Sequence, residues 1–422
     1  MTNKHESALH LILRHCLIYY FVVALGGNLV WAQVVGEVLP AWTPGILEIH
    51  QISTGRGNSA LFIFPDGTTM LADAGAQTSK NPRYVEPRPD DSRTPGEWII
   101  RYIRQMLRHD SVPELSYFLL THFHSDHMGQ VSDASKVSKS GQFKLSGVTE
   151  VGEHIAIRKI LDRAWPDYQY PTPLEDQNVR NYRAFLKWHA EQDGLRVERF
   201  QPGRNDQLVL VRTPNQYPNF EVRNIMANGE IWTGVGGNTR QNFPVLKDVP
   251  AEERPSENMC SLGIRLSYGK FDYYSGGDIP GIPFEGFPQW HDVETPVAQA
   301  VGPVEAAILN HHGYIDSQNT FFISSLRPRV WILNVWESAH PTARVYSRLQ
   351  SARLYSGPRD IFATNMHEAN RLVVVGLDKL ASDHGHIVIR VAPGGDTFKV
   401  VILDDSAENY KVKSIHGPYT SR

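Results

Sequence analysis

The chain carries the run Thr121-His122-Phe123-His124-Ser125-Asp126-His127-Met128-Gly129 directly after the apolar stretch Tyr117-Phe118-Leu119-Leu120. No other feature constrains its fold so strongly, because one short loop at a strand end must present three imidazoles and a carboxylate. Alternate side chains of a strand face the same way, so His122 and His124 can reach one ion. The turn that follows can aim Asp126 and His127 at a second. With 18 His and 45 acidic residues in 422, the pattern H-x-H-x-D-H arises by chance in roughly two such chains per thousand. Scattered surface histidines are the plainer reading, and the tight spacing argues against it.

Around this loop, short β-branched and aromatic runs alternate with turns. Strands are expected at 46–52, 59–64 and 69–72, the first two joined by the turn Gly55-Arg56-Gly57-Asn58 and the third ending at Asp73-Ala74-Gly75. A Pro-rich loop over 82–95 precedes a helix over 97–108, whose apolar positions have helical spacing. From about 130 to 255 the text turns irregular, with a helix near 179–191, and reads as an insertion or flap. Strands follow at 261–266, 271–274, 306–309 and 330–335, and a hairpin of 387–391 and 398–403 closes the chain.

Composition supports a large core, with 41% hydrophobic and 21% charged residues. Lys plus Arg number 42 against 45 acidic residues, a formal charge of -3, so overall charge does not advertise nucleic-acid binding, although a local basic groove is compatible with it. Lys4 and Arg14, the apolar stretch Cys16 to Leu25, and Val30 and Ala32 before Gln33 form a secretory signal pattern over 1–32, with an uncleaved anchor as the alternative. No later segment is long and apolar enough to cross a bilayer. The mature part, 33–422, is therefore expected to be soluble and exported, periplasmic or extracellular. Removing the signal leaves Cys260 alone, so no internal disulfide is expected, and its apolar neighbours suggest a buried residue rather than a nucleophile.

In order, GRGNSALFIF, LADAG, THFHSDHMG, NMCSLGIRLSYG, YYSGGD, ILNHHG and Ala339-His340-Pro341 resemble the metallo-β-lactamase superfamily. The likeness is closest to the hydrolase domain of ComEC-type competence proteins and to phosphorylcholine esterases, and it runs from about Gly55 to His340. It implies an α+β (α/β) fold, a four-layer αββα sandwich with an irregular insertion. It also implies two divalent ions, zinc by preference: His122 and His124 for the first, Asp126, His127 and His312 for the second, and Asp278 bridging. His311 would be a phosphate contact or proton donor, and Asp73 would orient ligands or simply end a strand. His340 would face the site in a substrate or acid role, or stand only near a helix start.

The resemblance includes one departure. The superfamily usually supplies a third histidine to the first ion, but only His154 and His189 lie between His127 and Asp278. His189 falls on the expected helix, and His154 precedes a strand-like run. The stretch Arg223 to Asn228 offers asparagine instead, a weak zinc ligand but tolerable for manganese or another harder ion. ComEC-type domains share the irregularity. Asn258 and Ser261 resemble polar positions before a core strand, and His384 and His386 are expected in an exposed turn.

The expected function is an exported hydrolase of phosphodiester bonds, using a metal-activated hydroxide on a small-molecule or polymeric substrate, nucleic acid included. Arg56 could meet a phosphate, or be an ordinary turn residue. The alternatives are a lactone or β-lactam hydrolase and a non-catalytic surface binding protein. Retention of Asp126, Asp278 and the His311-His312 pair argues against the last.

Overall fold

Two mixed β-sheets, of nine and eight strands, organise the residues that the computed structural model describes, 33–78 and 80–422. The expected signal segment, 1–32, lies outside the described residues. The first sheet begins with β1 (Leu47–Gln51), β2 (Ala60–Ile63), β3 (Thr69–Ala72), β4 (Glu114–Leu119), β5 (Ala156–Asp162) and β6 (Arg196–Arg199). The second takes β7 (Phe220–Ala227), β8 (Glu230–Trp232), β9 (Thr239–Gln241) and β10 (Gly263–Tyr268). It continues with β11 (Phe271–Gly276), β12 (Ala306–Ile308), β13 (Val330–Leu333) and β14 (Asp360–Ala363). The chain then returns to the first sheet as β15 (His386–Val391), β16 (Thr397–Leu403) and β17 (Val412–Thr420).

Strand order is β17-β16-β15-β1-β2-β3-β4-β5-β6 in one sheet and β14-β13-β12-β11-β10-β7-β8-β9 in the other. Neighbours from β3 to β6 and from β11 to β14 run parallel, and parallel neighbours need crossovers. Helices supply them: α1 (Pro95–Met106), α2 (Ser125–Met128), α3 (Val148–His154) and α4 (Gln177–Gln192) on the first sheet's path. On the second lie α5 (Glu294–Val301), α6 (Thr320–Leu326) and α7 (Ala343–Gln350), with the short α8 (Glu368–Val373) beyond β14. These elements together make the fold α+β.

Alternate side chains go to different cores, which explains why the strands read as nearly continuous apolar runs. Leu47, Ile49, Phe62 and Met70 pack with Leu266, Tyr273, Ile308 and Ile332 of the second sheet, in one core shared by both. Leu61, Ile63, Leu71 and Phe118 pack instead with Ile99, Tyr102 and Ile103 of α1 and Tyr182 and Phe185 of α4. Trp331 and Leu333 likewise meet Val297 of α5, Phe322 of α6 and Tyr346 of α7. Helix α1 starts two residues before the expected 97, because Pro95 opens it and Thr94 and Glu97 form a reciprocal cap.

Three expectations need correction. Residues 130–255 are not a flap: they supply β5 and β6 to one sheet and β7, β8 and β9 to the other. Arg158, Lys159, Arg196 and Glu198 interrupt the apolar pattern of β5 and β6, because these strands approach the sheet edge. The closing hairpin is followed by β17, which pairs with β16. His386 opens β15 as a buried residue, its Nδ1 accepting from Ser53 N–H at 3.0 Å, while half-exposed His384 pairs with Asp383.

Candidate metal centre

Parallel strands leave the sheets at their carboxyl ends, and the loops there gather the polar groups. Beyond β4, Thr121 to His124 leads into the single turn α2, with His124 at its N-cap and Asp126 and His127 inside it. Beyond β11, Gly277 leads to Asp278, whose N–H donates to Ser261 Oγ at 3.1 Å. Beyond β12, a tight turn over Asn310–Gly313 holds His311 and His312 at φ values of 44° and 51°. Left-handed backbone at two non-glycine residues costs about 1–3 kcal/mol each, a strain that persists only where surrounding structure enforces it.

These loops bring Asp126, His127, Asp278 and His312 into one buried group, with one donor atom from each lying within 4.8 Å of all the others. His127 Nε2 lies 3.2 Å from both Asp278 Oδ2 and His312 Nε2. His312 Nε2 is 3.2 Å from Asp126 Oδ2. Two imidazole nitrogens and two carboxylates facing one point repel one another unless a proton or cation stands between them, so the set fits a metal ion. The group can hold one. His122 Nε2 lies beside it, 3.8 Å from Asp278 Oδ2 and 3.1 Å from His124 Nδ1. The His127 ring stands 4.1 Å from that of His122, centroid to centroid, but its Nε2 is turned to the four-residue group.

The surrounding hydrogen bonds set the tautomers. Asp73 Oδ2 accepts from His127 Nδ1 at 2.7 Å, and Thr121 Oγ1 lies 3.2 Å from His122 Nδ1, which leaves each Nε2 free to face the group. Asp73 also accepts from Thr121 N–H at 2.8 Å and from Asn58 Nδ2 at 2.9 Å. Asn58 N–H in turn donates to Asp126 O at 2.7 Å. The approach is close enough to require glycine: a Cβ on Gly75 would stand 2.0 Å from Asp126 O, and one on Gly57 2.3 Å.

Burial disfavours charge on every member, yet the opposite charges win at most of them. Against burial, the carboxylates of Asp278, Asp73 and Asp126 hold His127 well above the ordinary imidazole range. His312 is raised to about 9, with Asp278 and Asp126 outweighing burial. Asp278 is held well below the usual carboxylate range because His127 and His312 outweigh its burial. Burial itself dominates at His122, which is pushed well below, and His127 adds to it.

At the rim, His124 is exposed and His311 half-buried. His311 Nδ1 is 2.7 Å from Asp316 Oδ1, and its Nε2 is 3.2 Å from Asn258 Nδ2. His340 is only 3% exposed, stacks on His312 with ring centroids 4.7 Å apart, and leaves its Nδ1 without a protein partner. Arg56 spends Nη1 on the backbone oxygens of Gly55 and Val85.

Neither sequence candidate for the missing imidazole joins the group. His154 and His189 line a separate cavity of about 710 Å³ with Phe185 and Trp188. Asn224 donates to Gln201 O and Gln207 Oε1, and Asn228 bonds to Arg163. Cys260 is fully buried, and burial pushes its thiol up to about 12, which makes it inert as a nucleophile. Sequence reasoning missed Asp316, Arg163 and Glu257. Asp316 had a local signal, standing five residues after His311, whereas the other two carry no spacing that links them to the loop. Compared with known proteins, the chain matches no family model, and no curated protein matches it.

Proposed function

We propose that this protein is an exported metal-dependent hydrolase of phosphodiester bonds, built on the metallo-β-lactamase plan. Its layers would be the αββα sandwich, a reading supported by helices packed on the face of each sheet away from the shared core. The observation that carries the function is the convergence of Asp126, His127, Asp278 and His312, from three distant stretches of chain, in one buried group. A pure scaffold has no need of carboxylates turned toward a single point.

Asp126, His127 and His312 would hold one ion, His122 and His124 another, and Asp278 would serve both. Each ion would meet two imidazoles, which suits zinc, while the carboxylate oxygens would also accept a harder ion such as manganese. Bound ions would supply Lewis acidity, lowering a water's pKa from about 15.7 toward about 7 and offsetting charge on phosphoryl oxygens. The chain's own residues do the rest. Asp73 and Thr121 keep Nε2 of His127 and His122 turned inward. Buried His340 braces the His312 ring by stacking and has little surface for substrate. His311, at the opening and oriented by Asp316, meets the phosphate or passes a proton to the departing oxygen.

Metal-loaded protein assayed on bis(p-nitrophenyl) phosphate, single-stranded DNA and nitrocefin tests this reading. Phosphodiester turnover is expected, with a loss of about a thousandfold or more in Asp126→Ala and in Asp278→Ala. Activity surviving in both variants rejects the two-ion mechanism. Turnover of nitrocefin alone moves the assignment to carbonyl substrates. A metal-bound protein inert to all three supports the binding-protein reading, which the lack of a third imidazole turned toward His122 and His124 favours.

A further inference from the structure

A buried ion pair grips the metal loop from outside the donor group. Phe123, between His122 and His124, donates its N–H to Glu257 Oε1 at 2.8 Å. Arg163, just beyond β5, donates from Nε to the same oxygen at 2.8 Å and from Nη2 to Oε2. Its guanidinium carbon lies 5.0 Å from the centroid of the Phe123 ring, so the loop is held through both backbone and side chain. The Arg163 side chain is 0% exposed. Its Nη1 is spent on Tyr170 O at 2.9 Å and Asn228 Oδ1 at 3.0 Å, and Asn228 returns a bond to Arg163 O at 2.7 Å.

A charge buried so completely is retained only where a partner meets it, and a hydrophobic pair of similar volume would be as stable. Stability alone therefore gives weak reason for this pair. Its position gives a better one: the stretch ending at Asn228, where the family likeness looks for a third imidazole, serves the guanidinium instead.

We infer that Arg163 and Glu257 are positioning residues that fix the His122-Phe123-His124 backbone for the first ion, in place of a third imidazole. The inference rests on the two-ion reading above. With two imidazoles, affinity depends on how little freedom the loop loses when the ion arrives, and a backbone N–H pinned midway between the two histidines removes that freedom in advance.

The test is a cobalt(II) titration of the full mature chain, read as stoichiometry and visible absorption, for wild type and four variants. In Glu257→Gln the first ion is expected to bind about 10–100-fold more weakly with a changed cobalt spectrum, while the second ion binds as before. Arg163→Met combined with Glu257→Leu leaves no unpaired buried charge, so it covers the case in which the single variant fails to fold, and it should show the same selective loss. Arg163→Lys keeps the charge but loses the two-pronged bond to Glu257, so its affinity for the first ion should fall between those of wild type and the paired variant. If the paired variant folds and binds both ions with wild-type affinity and spectrum, the inference is overturned and the metal centre stands. If wild type takes up fewer than two ions, or Asp278→Asn binds as wild type does, the two-ion reading itself fails and takes the inference with it.

Discussion

Replacing Asp73 by Asn changes one oxygen for an NH2 in a side chain that is fully buried. Its Oδ1 accepts from Thr121 N–H at 2.8 Å, while Oδ2 accepts from Asn58 Nδ2 at 2.9 Å, His127 Nδ1 at 2.7 Å and, at 2.9 Å, the Thr121 hydroxyl, which can turn to accept instead. If the amide keeps its oxygen toward Thr121, its NH2 faces two donors. His127 escapes that clash only by giving up the Nδ1 proton and keeping one on Nε2, the atom 3.2 Å from Asp278 Oδ2, and a protonated Nε2 has no lone pair for an ion. Hydrogen bonds to charged groups contribute about 1.5–3 kcal/mol each, so losing two costs about 3–6 kcal/mol. Unfolding entropy near 2.1 cal/mol/K per residue, over about 390 residues, gives about 0.8 kcal/mol/K and a fall in Tm of about 4–7 °C. Metal affinity should drop about 10–100-fold. Calorimetry of metal-free protein reads the first effect, and competition against a chromophoric chelator reads the second. A variant that loses the stability yet binds metal as tightly as wild type would refute the tautomer argument and leave Asp73 a strand-end residue.

The remaining predictions concern the frame around the group. Gly75→Ala drives a Cβ against Asp126 O and Asn58 N, at 2.0 and 2.7 Å, and should destabilise by about 3 kcal/mol or more in urea. Gly237→Ala, whose Cβ meets only Gly203 O at 3.7 Å, should change stability by less than about 0.5 kcal/mol, and equal effects at both positions would contradict the close-approach reading. Burial holds His386 neutral with a pKa of about 3 against 6.5, so its contribution is present above pH 6.5 and is lost as pH falls toward 3. That loss amounts to about 4–5 kcal/mol. His386→Asn keeps an acceptor for Ser53 N–H without titrating, and its Tm should fall less than wild type's between pH 7 and 4. Zinc at about 100 times its Kd should stabilise the fold by about 2.7 kcal/mol. EDTA should reverse the rise in Tm, and a matching rise in Asp278→Ala would place the ion elsewhere.

Much of the frame was legible because core strands repeat a simple rule. Leu61, Phe62 and Ile63, or Val330 to Leu333, are apolar on both faces since both faces are covered, so each run identifies itself without reference to its partners. The run at β5 read as strand-like but was assigned to a flap, and β6 was not read as a strand. Charged Arg158, Lys159 and Arg196 break their pattern, and what makes them strands is the neighbouring strand that pairs with their backbone. The same distinction separates His386 from His384: both look like turn histidines, but only pairing with β16 buries the first.

The amino-acid order determined the chemistry on offer, since H-x-H-x-D-H places four donors in one loop whatever the rest of the chain does, and the apolar runs committed it to sheets. Which distant groups complete that loop was decided in three dimensions. Asp278 and His312 arrive because β11 and β12 are parallel neighbours ending at the same edge, and Glu257 and Arg163 meet across 94 positions of sequence to grip Phe123. The physical reason is range: periodicity and spacing record what a residue's near neighbours require, whereas a buried charge or an imidazole tautomer is set by whichever partner the fold brings within about 3 Å.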